Sequence, residues 1–319
     1  MQKILSCAIV GAGSIGGLID NPQSSNIASH AHAIFKHPEC KLVAIVEPNQ
    51  TNQCAFVGRW GDVGVYHSLE ALLKYEKIDF LSIASPTPFH ASNLQEALHV
   101  EDIRYILCEK PLVGTTKELE TLKTSLFESK KRILVHLIRR FDPSFISLAE
   151  HITQGKWGKA VRFQGVFNKG LLHNGVHMLA VLSHFFGKLR RIDSLHVEHL
   201  ENDLSGDFAV EFQNAQGVLS CVGTSYSAFE LSIWFENGKV EIKDGGSRID
   251  TFIKKPSPLY EGYFSLEHEK TLPNSLQNYA LNSLEFLLKS DDISAKQILE
   301  EHILIHEKIF ETIEKENRQ

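Results

Sequence analysis

The chain has 319 residues, 43% of them hydrophobic, which is ample for a core but too long for a single one, so two domains are expected. A net charge of -6, with 33 Lys and Arg scattered rather than clustered, excludes the basic stripe of a nucleic-acid binder, and no apolar run reaches the roughly 18 to 20 residues of a membrane span. The opening MQKILSCAIV turns to glycine too soon for a signal peptide, and five widely spaced cysteines (Cys7, Cys40, Cys54, Cys108, Cys221) without a CxxC suit reduced thiols in the cytoplasm.

Taken in order, ILSCAIV (4–10) is a short apolar run that stops at glycines, as a buried parallel strand feeding a tight turn does. KLVAIVEPN (41–49) is a second such run, ending in an acid, and HSLEALLKYEKID (67–79) has helical spacing. FLSIASPTP (80–88), YILCEKP (105–111) and RILVHLI (132–138) read as further strands, separated by the helical SNLQEALHV and ELETLKTSLFES. Strand and helix alternate, which predicts a doubly wound α/β domain with a parallel sheet. After Phe141 the texture changes. A helix over PSFISLAEHITQ precedes AVRFQGVFNKG, DFAVEFQN, GVLSCVGTSY and ELSIWFENGKVEIKDGG, whose period-two alternation and Asn-Gly and Asp-Gly turns predict a mostly antiparallel open sheet. The residues from about 275 onward return to helical spacing. The expected division is 1–137 for a dinucleotide-binding domain and 138–319 for an α+β substrate-binding and oligomerisation domain, the two abutting without a linker.

Gly11-Ala12-Gly13-Ser14-Ile15-Gly16 fits G-x-G-x-x-G, a weak pattern alone but here one that follows a strand and opens a helix-compatible segment. The amides of Gly13, Ser14 and Ile15 can then meet a pyrophosphate, with a plain glycine-rich turn as the alternative. Glu47, at the end of the second strand, suits the adenosine ribose hydroxyls and repels a 2′-phosphate. Its distance from the glycines exceeds the usual spacing, and the polar insertion NPQSSNIASHAHA accounts for the excess. Since Arg59 is the next arginine, NAD is expected rather than NADP. Ser85-Pro86-Thr87-Pro88 and Glu109-Lys110-Pro111 both end parallel strands, on the edge of the sheet where ligands bind, although Glu109 and Lys110 can also be a solvated pair.

GAGSIGG, SPTPFH and CEKPL, in this order, resemble the Gfo/Idh/MocA oxidoreductases, as do RRFDP (139–143) and NKGLLHNGVHMLAVLSHFFG (168–187). The resemblance implies a Rossmann domain followed by an open-sheet domain that forms a homodimer or homotetramer. It also implies a cofactor held by Ser85, Pro86, Thr87, His90, Glu109 and Lys110 beside the glycine loop. It further implies that Lys110 orients the substrate hydroxyl, often before a cis proline, and that His177 accepts its proton. His173 stands where that family has an aspartate and Ala180 where many members have another acid, so the proton path departs from the family's. Arg139, Lys169 and Asn174 are then candidates to contact a polar substrate.

His173 and His177 stand four residues apart around a glycine, a spacing that a zinc helix shares. No Glu follows His173 and no third ligand is evident, so no metal is expected. Two packing histidines remain the bland alternative to a catalytic pair. The reading is a dehydrogenase moving hydride between nicotinamide and a hydroxyl-bearing carbon of a sugar, cyclitol or sugar derivative. Its rivals are a dinucleotide-binding sensor without chemistry and a redox-neutral epimerase or glycosidase that retains NAD.

Overall fold

The computed structural model describes residues 4–318. By compactness the chain divides into two units, Met1–Phe141 with Gln277–Ile303, and Asp142–Leu276 with Leu304–Gln319. The return of 277–303 to the first unit is not announced by any pattern of apolar residues.

The first unit alternates as the apolar runs require. It contains β1 (Leu5–Val10), α1 (His30–Lys36), β2 (Cys40–Val46), α2 (Gln50–Trp60), β3 (Gly64–Tyr66), α3 (Leu69–Tyr75), β4 (Phe80–Ile83), α4 (His90–Leu98), β5 (Tyr105–Glu109), α5 (Thr116–Glu128) and β6 (Arg132–His136). The strands form one sheet in the order β3-β2-β1-β4-β5-β6, parallel throughout. The order reverses between β1 and β4, which makes the carboxyl ends of those strands the natural ligand crevice. Continuous burial of Phe80–Ile83 matches a strand covered on both faces.

Two elements here are absent from the sequence reading: β3 has only three residues and α2 buries only Phe56 and Trp60, so neither carries enough apolar signal to betray its period. α1 begins at His30, where SHAHAIF reads as a helix start near the cofactor, and buries His30, Ala31, His32, Ala33 and Ile34.

The second unit begins with α6 (Pro143–Thr153), capped by Asp142, then β7 (Ala160–Asn168), α7 (Val176–Phe186), β8 (Leu189–Leu200), β9 (Asp203–Phe212), β10 (Gln216–Val222), β11 (Phe229–Phe235), β12 (Gly238–Lys243), β13 (Arg248–Pro256) and β14 (Phe264–Leu272). Its sheet runs β14-β13-β12-β11-β7-β10-β9-β8 and is antiparallel except where β7 meets β10. Buried and part-exposed residues alternate along β9 to β12, the mark of a sheet with one packed face. β8 and β14 are largely exposed and charged, so their sequences show no such alternation. α8 (Tyr279–Lys289) follows in the first unit, packing on α1, β5 and β6, and α9 (Asp292–Glu316) ends the described chain. No helix among the described residues is long and apolar enough to cross a membrane.

Candidate cofactor and active site

β1 ends at Val10 and the chain turns through Gly11 at φ 95°, a conformation that L side chains rarely adopt. A Cβ on Gly11 would lie 2.6 Å from Ala84 O, so the glycine lets the loop pack against the end of β4. A Cβ on Gly16 would lie 2.0 Å from Gly11 O, whereas one on Gly13 would meet nothing within 4 Å. Gly13 thus leaves open the space that a backbone-bound phosphate needs.

The helix expected after the glycines is only a π-helical turn, Ser14–Leu18, in which Gly17 and Leu18 donate to Gly13 O at 3.0 and 3.1 Å. Its shortness is a correction to the sequence reading, and its cause is polar. Residues from Asp20 to Ser29 fold around the Asp20 carboxylate, which accepts from Ala28 N at 2.7 Å, Ser29 N at 2.9 Å and His32 Nδ1 at 3.0 Å. So short a turn has almost no macrodipole; what it offers an anion is N–H groups. The insertion is also shorter than expected, because HAHA at its end is the start of α1.

Glu47 follows β2 and is 7% exposed. Its carboxylate accepts from Ala12 N and from Asn49 N, each at 2.9 Å, so the acid braces the glycine loop. Two lone-pair positions remain for further donors. Arg59 donates to the carbonyls of Leu18 and Asp20, which commits its guanidinium to the loop.

At the end of β4, half-buried Ser85 and Thr87 and exposed Pro86 lead into α4. His90 is buried, with Nε2 2.8 Å from Ser85 O and Nδ1 2.8 Å from Pro111 O. Both ring nitrogens are engaged, so His90 joins the two strand-end segments and has none left over for a ligand. The Lys110-Pro111 bond is cis, and Lys110 is half-buried.

Beside Lys110, Glu109 Oε1 lies 2.9 Å from His30 Nε2 and 2.6 Å from His136 Nδ1. Burial alone would raise the Glu109 carboxyl, but the charge and hydrogen bonds of His136 and His30 outweigh it and hold the group well below the usual carboxylate range. Burial in turn lowers His30. Among the described residues these three form the group of His, Cys, Asp or Glu close enough to hold a metal, within 4.8 Å of one another; His173 and His177 belong to none. Donors around a tetrahedral zinc at 2.0 to 2.1 Å stand about 3.4 Å apart, so separations of 2.6 and 2.9 Å describe hydrogen bonds. The sequence reading missed His136, although a histidine ending a parallel strand was a usable signal.

Arg139 is 8% exposed, and burial lowers its guanidinium to about 9. In the second unit, Lys169 is exposed at φ 66° and Gly170 turns at φ 88° into the π-helical turn Leu171–Gly175. His173 is exposed, Asn174 half-buried and His177 8% exposed at the start of α7, so the two histidines differ in environment. Asp203 from β9 anchors this turn, its carboxylate accepting from Leu172 N at 2.8 Å and His173 N at 3.0 Å. A carboxylate therefore reaches the backbone of position 173, a placement with no sequence signal. Lys110 belongs to the first unit and His177 to the second.

Residues 5–137 match the profile of a family described as an oxidoreductase family with an NAD-binding Rossmann fold, GFO_IDH_MocA. The inositol 2-dehydrogenase of Rubrobacter xylanophilus is 26% identical over 174 residues, 54% of this chain and 46% of that protein. The D-glucoside 3-dehydrogenase of Escherichia coli is 25% identical over 202 residues, 57% of this chain and 54% of that protein. Both matches span about half the relative's length. An oxidoreductase from Agrobacterium radiobacter, solved with NAD+, L-tartaric acid and magnesium, superposes with a TM-score of 0.69 at 12% identity, covering 97% of this chain and 96% of that one. At that identity the likeness is one of fold.

Proposed function

Because residues 5–137 match the Gfo/Idh/MocA oxidoreductase profile, we propose that this chain is an NAD-dependent dehydrogenase of that family acting on a CH–OH group of a sugar, cyclitol or sugar derivative. The observation that carries the reading is the glycine loop, open at Gly13 and braced by Glu47, in a domain of an NAD-binding family. The dinucleotide would be held by the amides of Gly13, Ser14 and Ile15 and by Glu47, with Ser85, Thr87 and Glu109 lining the strand ends. Bound NAD supplies the hydride acceptor. Lys110 donates to the substrate oxygen as negative charge grows there, and His177 accepts the hydroxyl proton, so proton and hydride part without a metal. Arg139, Lys169, His173 and Asn174 contact the remaining polar groups of the substrate. Carbohydrate-directed names among the relatives support this substrate class. The free thiols fit a cytoplasmic enzyme, and the open second sheet fits a homodimer or homotetramer.

The test is purification without added cofactor, identification of retained nucleotide, and an absorbance screen at the reduced-nicotinamide band against sugars, sugar acids and cyclitols. Reduction of NAD by at least one of them is expected, with Lys110→Met slowing single-turnover reduction by two to three orders of magnitude while NAD binding persists. Binding without turnover across the panel would favour a sensor. Product formation with no net absorbance change would favour a redox-neutral enzyme.

A further inference from the structure

Glu109 ends β5 and His136, its register partner, ends β6, so both stand at the carboxyl edge of the sheet. His30, the first residue of α1, closes the group from the loop side. One carboxylate oxygen, Oε1, serves both imidazoles, which fixes their tautomers while Glu109 is ionised. His30 carries its proton on Nε2, leaving Nδ1 to accept from the Ser82 hydroxyl at 2.7 Å. His136 carries its proton on Nδ1, and its Nε2 is a buried lone pair without a hydrogen-bond partner.

The group in that state holds one net negative charge and no cation of its own. Its titratable surroundings are few. The Tyr279 ring lies 5.7 Å from that of His136, and burial, then the charges of Glu109 and Asp20, push its hydroxyl up to about 12. The neighbouring Cys108 thiol is raised well above its ordinary value by burial and by Glu109. Asp20 is engaged with Ser29 and His32, and Lys110 follows Glu109 in the chain. A carboxylate that accepts from two imidazoles through one oxygen at a ligand-binding sheet edge is placed to complement a positive charge that comes and goes with a ligand.

We propose that His30, Glu109 and His136 discriminate oxidised from reduced nicotinamide, offering one negative charge to the cationic ring of NAD+ and taking up a proton when the ring is neutral. The proton comes from solvent and its destination is the lone pair on His136 Nε2; no electron moves. The inference rests on the first unit being a nicotinamide site. NAD+ and NADH share every group except the charge and hydrogen of the ring, so titrations near the adenosine or the phosphates affect both alike; the difference between the two reports on groups beside the ring, Lys110 and His177 included, and a change at His136 singles out this cluster.

The experiment is calorimetric titration of the full chain with NAD+ and with NADH from pH 5 to 8, in two buffers of different ionisation enthalpy, which counts protons exchanged on binding. Toward the acid end, NAD+ should displace up to one more proton than NADH, and the ratio of NAD+ to NADH affinity should fall by up to about tenfold per pH unit. His136→Asn, whose amide can still donate to Glu109, should abolish this differential linkage. Glu109→Gln, which removes the carboxylate charge while keeping its shape, should abolish the linkage as well and serves if the first variant fails to fold; a linkage that survives in either folded variant would overturn the inference. Equal proton counts and parallel pH profiles for the two cofactors would overturn the inference while leaving the dehydrogenase reading intact. Binding of neither cofactor would overturn both, and stoichiometric zinc on the purified chain would replace the proton unit with a metal site.

Discussion

Glu47 carries two tasks that the usual description of a ribose-binding acid does not separate. Its oxygens already accept the amides of Ala12 and Asn49, and a hydrogen bond to a charged group contributes about 1.5 to 3 kcal/mol. Glu47→Ala therefore removes the brace under the glycine loop together with the charge proposed to reject a 2′-phosphate. NAD affinity should fall at least tenfold while NADP affinity changes less, so the preference for NAD narrows. Titration of parent and variant with both cofactors measures this, and unequal losses in the opposite sense would show that Glu47 does not set the preference. Arg59 supports the expectation of NAD, since its guanidinium is bound to the carbonyls of Leu18 and Asp20.

At the scale of elements, the turn carrying His173 depends on a side chain from another strand. Gly170 is forced there: a Cβ would lie 2.1 Å from Asp203 Oδ2. Burial raises Asp203, and hydrogen bonds from Leu172, His173 and Leu204 partly offset that rise. Asp203→Ala should lower stability by about 2 kcal/mol by removing the acceptor of the Leu172, His173 and Leu204 amides, while NAD binding by the first unit stays within twofold. Denaturant unfolding paired with calorimetry checks both halves. The same turn shows where legibility ends. ILSCAIV, FLSIASPTP and YILCEKP announce their strands because burial on both faces demands unbroken apolar runs, and the glycine loop and Glu-Lys-Pro announce themselves through chemistry at strand ends. β8 and β14 stay hidden because their exposed faces are charged, and α2 because it buries only Phe56 and Trp60. Asp203 on His173, or His136 on Glu109, is a convergence across distant segments, and local spacing carries no trace of it.

For the molecule as a whole, buried histidines set the acid side of stability. His30 and His37 are both lowered by burial, so below about pH 6.5 the unfolded chain takes up protons that the folded chain refuses, and stability falls as pH falls. Glu109, held low, adds a loss that begins only below about pH 4.3 and is complete once the pH passes its folded value. Asp203, held high, works in the opposite sense and softens that decline. Thermal unfolding should show the melting temperature falling from pH 7 to pH 5, with His37→Gln reducing the slope. A flat profile over that interval would mean that these rings are protonated in the folded state.

The discontinuity of the first unit has a bearing on how the protein comes into being. Ile27 exchanges backbone hydrogen bonds with Gln277 and Ala280, His136 faces Tyr279, and Phe141 packs on Phe286 at 4.9 Å between ring centroids. Every one of these partners is synthesised after the entire second sheet. A nascent chain that has already made all six parallel strands still lacks the helix that packs on α1, β5 and β6, so the segment made first is among the last to be finished. Completion of the nucleotide-binding half during translation thus waits on α8.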